Sequence, residues 1–218
     1  MNPEIEAAIN ALENVHRIEN CSKDEMTGLA MEMTHAVYPH DEMFGPFCTV
    51  EEYIQCPAQS AYDYLADVYT LSEWTYSLRD FTRMDADGMT VATDKIGSAT
   101  KIYTKIKTNP EAMTVDYHCS WDQGDELWMI YLMRIVPAPL VLKREGCVVL
   151  WTNCHHPYYD QNPFPEKSPP GRNIWVGDMW PFFYAGHWLE LQNLKHILEF
   201  RYKNGLPMKW NGPPVEGE

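Results

Sequence analysis

The chain has 218 residues, 45% of them hydrophobic, 13% aromatic and 22% charged, a balance that excludes disordered, collagen-like and small disulfide-scaffold classes. Seventeen basic residues against 31 acidic ones leave a net charge of −14; the basic residues are scattered, so a nucleic-acid partner is not expected. A chain of this length can remove roughly 70% of its unfolded surface from water, enough for one domain whose core encloses a cavity.

Residues 1–20 mix Glu4, Glu6, Glu13 and Arg17 into their apolar positions, which is not the pattern of a signal peptide, and no run approaches the ~18 apolar residues of a membrane span. The expectation is a cytoplasmic protein without a membrane span. Six cysteines without a Cys-x-x-Cys pair read as reduced, mostly buried thiols.

Two helices are predicted in residues 1–45. Asn2 and Pro3 start the first, with Ile5, Ile9, Leu12 and Val15 at helical spacing. The capping box Ser22 to Glu25 starts the second, with Met26, Leu29, Ala30, Met33 and Val37 on one face. Period-two alternation then predicts a strand over 47–55, with Cys48, Val50, Glu52 and Ile54 on one side. Pro57 opens a helical stretch over 58–69, followed by a turn through Ser72, Glu73 and Trp74. Turn signals at Asp87-Gly88, Gly97, Asn109-Pro110, Gly124 and Gly146 divide the next stretch into six strands, 78–84, 89–94, 98–107, 113–121, 126–136 and 147–153. Hairpin spacing makes these one antiparallel sheet. Six prolines between 157 and 181 exclude a helix or central strand and suggest a lid-like loop. The last element is a helix over 182–203, with Tyr184, His187, Trp188, Leu191, Leu194, Leu198 and Tyr202 on one stripe, closed by Asn204-Gly205 and Pro207.

This order, strand, two short helices, six strands and a long C-terminal helix, resembles the helix-grip fold of the SRPBCC superfamily, which includes Bet v 1-like, START-like and polyketide cyclase/dehydrase proteins. The wording Val50-Glu51-Glu52-Tyr53-Ile54-Gln55-Cys56-Pro57-Ala58, then Ala61-Tyr62-Asp63-Tyr64-Leu65-Ala66-Asp67-Val68, then Leu71-Ser72-Glu73-Trp74 is similar to that superfamily's opening strand, "Pro-Ala" helix start and tryptophan. The resemblance implies an α+β fold in which a curved antiparallel sheet of about seven strands wraps the C-terminal helix and leaves a cavity for an apolar or aromatic ligand. It covers roughly Phe47 to Asn204. The chain thus divides into a helical extension (1–45), the helix-grip domain (46–206, with the insertion 157–181) and a tail (207–218). The extension could cover the cavity mouth or form a homodimer contact.

Eight tryptophans and thirteen tyrosines independently suit a small-molecule pocket, since such rings offer broad apolar faces with one polar atom each. His187 lies on the buried stripe of the last helix, and His155 and His156 follow the last strand beneath the expected lid. These three are the candidate acid/base residues, because imidazole titrates near neutrality. Trp74, Tyr131, Arg134, Trp151, Tyr184, Trp188 and Leu191 are the candidate ligand-binding residues. Arg134, in a strand apolar on both sides, would need an acidic partner or an anionic ligand if buried. His118 shares a strand face with Thr114, Asp116 and Ser120 and is placed on the outside.

The expected activity is cyclisation, dehydration or isomerisation of an aromatic or polyketide-like molecule with no cofactor; a carrier that leaves its ligand unchanged is the competing reading. A third is an iron or zinc site. Glu32-x-x-His35-x4-His40 resembles the iron motif of oxygenase domains attached to Rieske clusters, with a further ligand from His187, Glu190 or Asp178. Nucleotide-loop and nucleophile-elbow motifs are absent from the sequence.

Overall fold

The structure, a computed structural model, describes residues 2–37, 47–84, 87–96, 100–121, 126–156, 158, 164–167 and 180–212, with backbone alone at 34–37 and 180–184. Its elements are α1 (Pro3–Asn10), α2 (Lys23–Val37), β1 (Phe47–Ile54), α3 (Ala58–Leu65), α4 (Leu71–Trp74), β2 (Leu78–Arg83), β3 (Thr90–Asp94), β4 (Thr100–Asn109), β5 (Thr114–Trp121), β6 (Met129–Pro137), α5 (Ala138–Val141), β7 (Cys147–Cys154) and α6 (Trp180–Lys203). The seven strands form one antiparallel sheet in the order β1-β7-β6-β5-β4-β3-β2. The first and last strands are neighbours, so the chain returns to its start before α6 crosses the concave face. This is the helix-grip α+β arrangement that the sequence resemblance implies.

Local chemistry sets the helix ends. Ser22 and Glu25 form the expected capping box: the Glu25 N–H donates to Ser22 Oγ at 3.3 Å, and the Ser22 N–H to Glu25 Oε2 at 3.0 Å. At the end of α6 the Leu206 N–H reaches Arg201 O (2.9 Å) and the Gly205 N–H reaches Tyr202 O (3.2 Å), with Gly205 at φ +61°. That is a Schellman closure, which needs a left-handed residue at this position.

Two predicted helices are shorter in the structure. The first stops at Asn10, because the Asn20 amide donates to Asn10 O and Val15 O and Arg17 donates to Asn10 Oδ1, which folds residues 11–15 into turns. Val15 still reaches the core. The helix expected over 58–69 breaks after Leu65, where the Thr70 hydroxyl donates to Tyr64 O and the Asp67 carboxylate caps a short 3-10 turn at Val68–Thr70. α5, a single turn between β6 and β7, was not foreseen.

The inward faces follow the strand alternation. Val115, Tyr117 and Cys119 of β5, Met129, Tyr131 and Met133 of β6, and Val149 and Trp151 of β7 are buried beneath α6 and α3. His118 lies on the other side of β5, as expected. α6 is buried on more than its predicted stripe: Leu191, Leu194 and Leu198 join the main core, while Ala185 and Leu189 pack with Met26 and Ala30 of α2. Tyr202 departs from the stripe and is 51% exposed. In that last turn Arg201 takes the inward position, because the buried Glu73 carboxylate accepts from it at 2.5 and 3.0 Å. Arg134, a candidate ligand-binding residue, is exposed on the outer face of β6, where its register with Thr114 and Leu150 points it away from α6, so it needs no buried acidic or anionic partner.

Two substitutions test these constraints. Gly146 holds φ +110°, and a Cβ there would lie 2.6 Å from Ile54 O, so Gly146→Ala is expected to lower the urea-unfolding free energy by about 1–3 kcal/mol. Arg201→Ala leaves Glu73 buried without its cation and is expected to cost about 3–5 kcal/mol in the same measurement, with Glu73→Gln in the same chain recovering part of the loss.

Candidate functional site

A partly open cavity of about 110 Å³ lies between the N-terminal half of α6, α4 and the concave sheet. The rings of Trp74 from α4, Tyr131 from β6 and Trp151 from β7 form its apolar wall, joined by Tyr117, Cys119 and Thr104. Trp74 and Trp151 meet edge to face, with centroids 5.4 Å apart and planes at 84°. Sheet register explains the clustering: Trp151 pairs with Met133 and Tyr131 with both Tyr117 and Asn153, so inward side chains of neighbouring strands stand side by side.

His187 projects from α6 into this wall. Its ring lies 4.5 Å from Trp151 and 5.3 Å from Tyr131, and the Asn153 amide donates to its Nδ1 at 3.2 Å. Burial lowers its pKa to about 3, so the imidazole is neutral across the physiological range. With Nδ1 accepting, Nε2 carries the proton.

Two acids complete the polar edge. Glu190, one turn beyond His187, accepts from the Tyr76 N–H at 2.8 Å through Oε1. Burial raises its pKa to about 8, and the neighbouring Asp94 charge pushes the same way. Asp94 ends β3 on its inward face and accepts from the Ser77 hydroxyl at 2.5 Å and the Ile96 N–H at 2.9 Å. Burial raises Asp94 as well, opposed by those two hydrogen bonds. The cavity therefore holds a protonated carboxyl beside one better able to ionise, the pattern by which two acids divide donor and acceptor roles. The cue to Glu190 was its i+3 spacing from His187, and the cue to Asp94 its shared parity with the inward Ala92.

Of the sequence candidates, His187, Trp74, Tyr131 and Trp151 come together in the cavity wall. Leu191 is fully buried in the core and Trp188 packs against it, neither of them on the wall. Arg134 is outside, and the side chain of Tyr184 lies outside the described residues. His155 and His156 continue from β7 without joining the wall. His156 Nδ1 accepts from the Tyr158 N–H at 3.1 Å, and its ring packs 4.4 Å from Tyr158 and 5.8 Å from Trp128. Of the 157–181 segment, Tyr158, Phe164, the turn Pro165–Lys167 and the backbone of residues 180–181, which open α6, are described, and Tyr158 and Phe164 meet edge to face at 5.9 Å. Glu32 is exposed on α2, whereas His40, Asp178 and the His35 side chain lie outside the described residues. Among the described residues no three His, Cys, Asp or Glu side chains gather to hold a metal, and no helix is long and apolar enough to cross a membrane.

Opposite stability slopes follow from His187 and Glu190. Below about 6.5 the unfolded chain binds a proton that buried His187 refuses, so stability falls as pH drops toward 3. Above about 4.5 the unfolded chain releases a proton that Glu190 keeps in the fold, so stability falls as pH rises toward 8. Glu190→Gln is expected to flatten the alkaline fall by an amount on the order of 1–3 kcal/mol between pH 5 and 8, read from urea midpoints; an unchanged slope would show that Glu190 titrates normally.

No curated protein matches the chain. Solved structures to which the chain is similar include the protein XoxI from Bacillus cereus (9% identity, 71% of this chain and 96% of that one, TM-score 0.49). The protein TTHA0849 from Thermus thermophilus has 15% identity over 73% of this chain and 99% of that one, with a TM-score of 0.48. A START superfamily protein from Mycobacterium smegmatis has 17% identity over 73% and 99%, with a TM-score of 0.45. A family profile matches residues 43–153, just over half of the chain, from β1 to the Asn153 that holds His187. The chain therefore belongs to the family described as Domain of unknown function (DUF8713).

Proposed function

We propose that this protein takes up a small molecule with an aromatic body in the cavity beneath α6 and moves a proton on it, in an isomerisation, a dehydration or the proton-transfer step of a cyclisation. The observation that carries this reading is the convergence of three large rings, a neutral imidazole and two carboxyls on one hollow of about 110 Å³. Size narrows the ligand. An apolar protein cavity of about 150 Å³ accommodates benzene, so this one, at about 110 Å³ and partly open, takes at most a single ring that extends toward the open side, not a multi-ring polyketide.

The expected acid–base roles shift from histidine to carboxyl. An imidazole whose pKa is about 3 is a weak base, whereas a carboxyl at about 8 holds a proton it can release near neutral pH. In this mechanism Asp94 accepts a proton from carbon, Glu190 donates one to the ligand's polar atom, and His187 orients that atom through Nε2–H. Trp74, Tyr131 and Trp151 fix the ring, and orientation alone supplies several kcal/mol. His156 packs in the Trp128 aromatic cluster, and in this mechanism neither it nor His155, which lies off the cavity wall, moves the proton.

Toluene and indole are expected to quench the tryptophan fluorescence saturably, and Thr104→Met, which fills the cavity, to abolish the saturation while retaining a cooperative melt. Acetophenone in D2O is expected to exchange its methyl protons faster with the protein than without, and Asp94→Asn to slow that exchange about 100-fold. Binding with no exchange above background would leave a carrier; unsaturable quenching would remove the cavity from consideration.

A further inference from the structure

The charge pattern of the cavity wall bears on the chemical class of the ligand. Among the described residues the wall contains Asp94 and Glu190 but no Lys or Arg, and its histidine is neutral. An anion placed there would meet two acids with no counter-charge, and burying an uncompensated charge costs several kcal/mol. Carboxylates and phosphates are therefore disfavoured.

The hydrogen-bond inventory narrows the choice further. On the polar edge, the Ser77 hydroxyl donates to Asp94 and the Thr75 hydroxyl to Leu71 O, both at 2.5 Å. Both Asp94 hydrogen bonds use Oδ1. Glu190 uses Oε1 for the Tyr76 N–H, and its Oε2 has no hydrogen-bond partner among the described residues, while the half-buried side chain borders the cavity. A carboxyl oxygen so placed either carries a proton and seeks an acceptor, or carries a charge and seeks a cation.

The surroundings of the edge decide between these. The Arg79 guanidinium sits behind it, donating to the carbonyls of Thr75, Tyr76 and Leu78 and, at 2.5 and 2.6 Å, to the Glu19 carboxylate. Arg79 is thus a paired cation, and the cavity side of Glu190 is left to the ligand. A ligand ammonium would have to shed its water shell among Trp74, Trp151, Ile102 and Met129, with Asp94, which already accepts two hydrogen bonds, as its ionisable partner. An acceptor oxygen does not incur that penalty.

We infer that the cavity selects an uncharged ring ketone, its carbonyl oxygen accepting a hydrogen bond from the Glu190 carboxyl while anionic and cationic ring compounds are turned away. This rests on the reading of the cavity as the ligand site and names the substrate class for it. The carbonyl also acidifies the adjacent C–H, which is the proton that Asp94 would accept, so donor and acceptor act across one O=C–C–H unit. The proton leaving carbon goes to Asp94 and the Glu190 proton goes to oxygen, giving an enol with no net change in charge; reprotonation at carbon reverses the step.

Four probes of similar size test it by calorimetry at pH 7 on the full chain: acetophenone, benzoate, benzylamine and toluene. Acetophenone is expected to bind at least tenfold more tightly than benzoate or benzylamine, and more tightly than toluene. Glu190→Leu should remove the advantage of acetophenone over toluene, whereas Glu190→Gln, which keeps an N–H donor at that position, should retain most of it. Benzylamine binding as tightly as acetophenone would make the edge a cation site, and benzoate doing so would show no charge selection; either result overturns the inference while leaving the cavity reading intact. If toluene fails to bind and the other three fail with it, the cavity reading itself falls. Thermal melts of both variants confirm that they fold.

Discussion

The structure depends on one buried ion pair. Arg201, near the end of α6, and Glu73, in α4, are both fully buried and bond at 2.5 and 3.0 Å, with the Tyr64 hydroxyl of α3 donating to the same carboxylate at 2.8 Å. Such a pair adds little net stability, because the desolvation of both charges offsets their attraction. What it supplies is position: only one placement of α6 satisfies two charges with no water. Asn193, two turns earlier, adds a second fixing point, donating to the carbonyls of His16 and Trp74 and accepting from the His16 N–H. The C-terminal part of α6 is thereby held against α4, and the hollow lies along its N-terminal half.

The two glutamates that face each other's helices show how environment sets role. Glu73 on α4 meets a guanidinium and a phenol and becomes part of the frame. Among the described residues Glu190 on α6 meets one backbone N–H and no cation in contact, so desolvation keeps its proton on at neutral pH. The same side chain is structural where a partner is built for it and chemically available where the fold withholds one. That distinction is set by the three-dimensional neighbours and not by residue type.

This explains how far the sequence could be read. Sheet and helix order were legible because period-two alternation and the turn residues are local signals, and Val115, Tyr117 and Cys119 fall inward as their spacing indicates. The aromatic wall was legible for the same reason: Trp74, Tyr131 and Trp151 each occupy an inward position. The acids were not. Asp94 and Glu190 are 96 positions apart, and only the β2–β3 pairing and the pitch of α6 bring them to one edge. Arg134 misled because its apolar neighbours Leu132 and Ile130 lie on the outer face of β6, where apolar residues do not signal burial. The short turn α5 and the Leu142 that caps it leave Leu140, Val141 and Leu142 exposed, another stretch in which hydrophobicity and position disagree.

The N-terminal extension bears on how the cavity can open. α2 covers the side of α6 turned away from the main core, with Met26 and Ala30 against Ala185 and Leu189. The linking segment is held by Arg17, which is fully buried and donates to Ser72 O, and by the Ile18 N–H donating to Tyr76 O. α6 is thus clamped from two sides and cannot lift as a lid without breaking both polar fixing points and the α2 contact. With α6 fixed in this way the hollow keeps its shape, and Asp94 and Glu190 stay at one edge of it while Trp74, Tyr131 and Trp151 form its apolar wall. In the proposed reading, charge is selected at that edge and shape by the three rings.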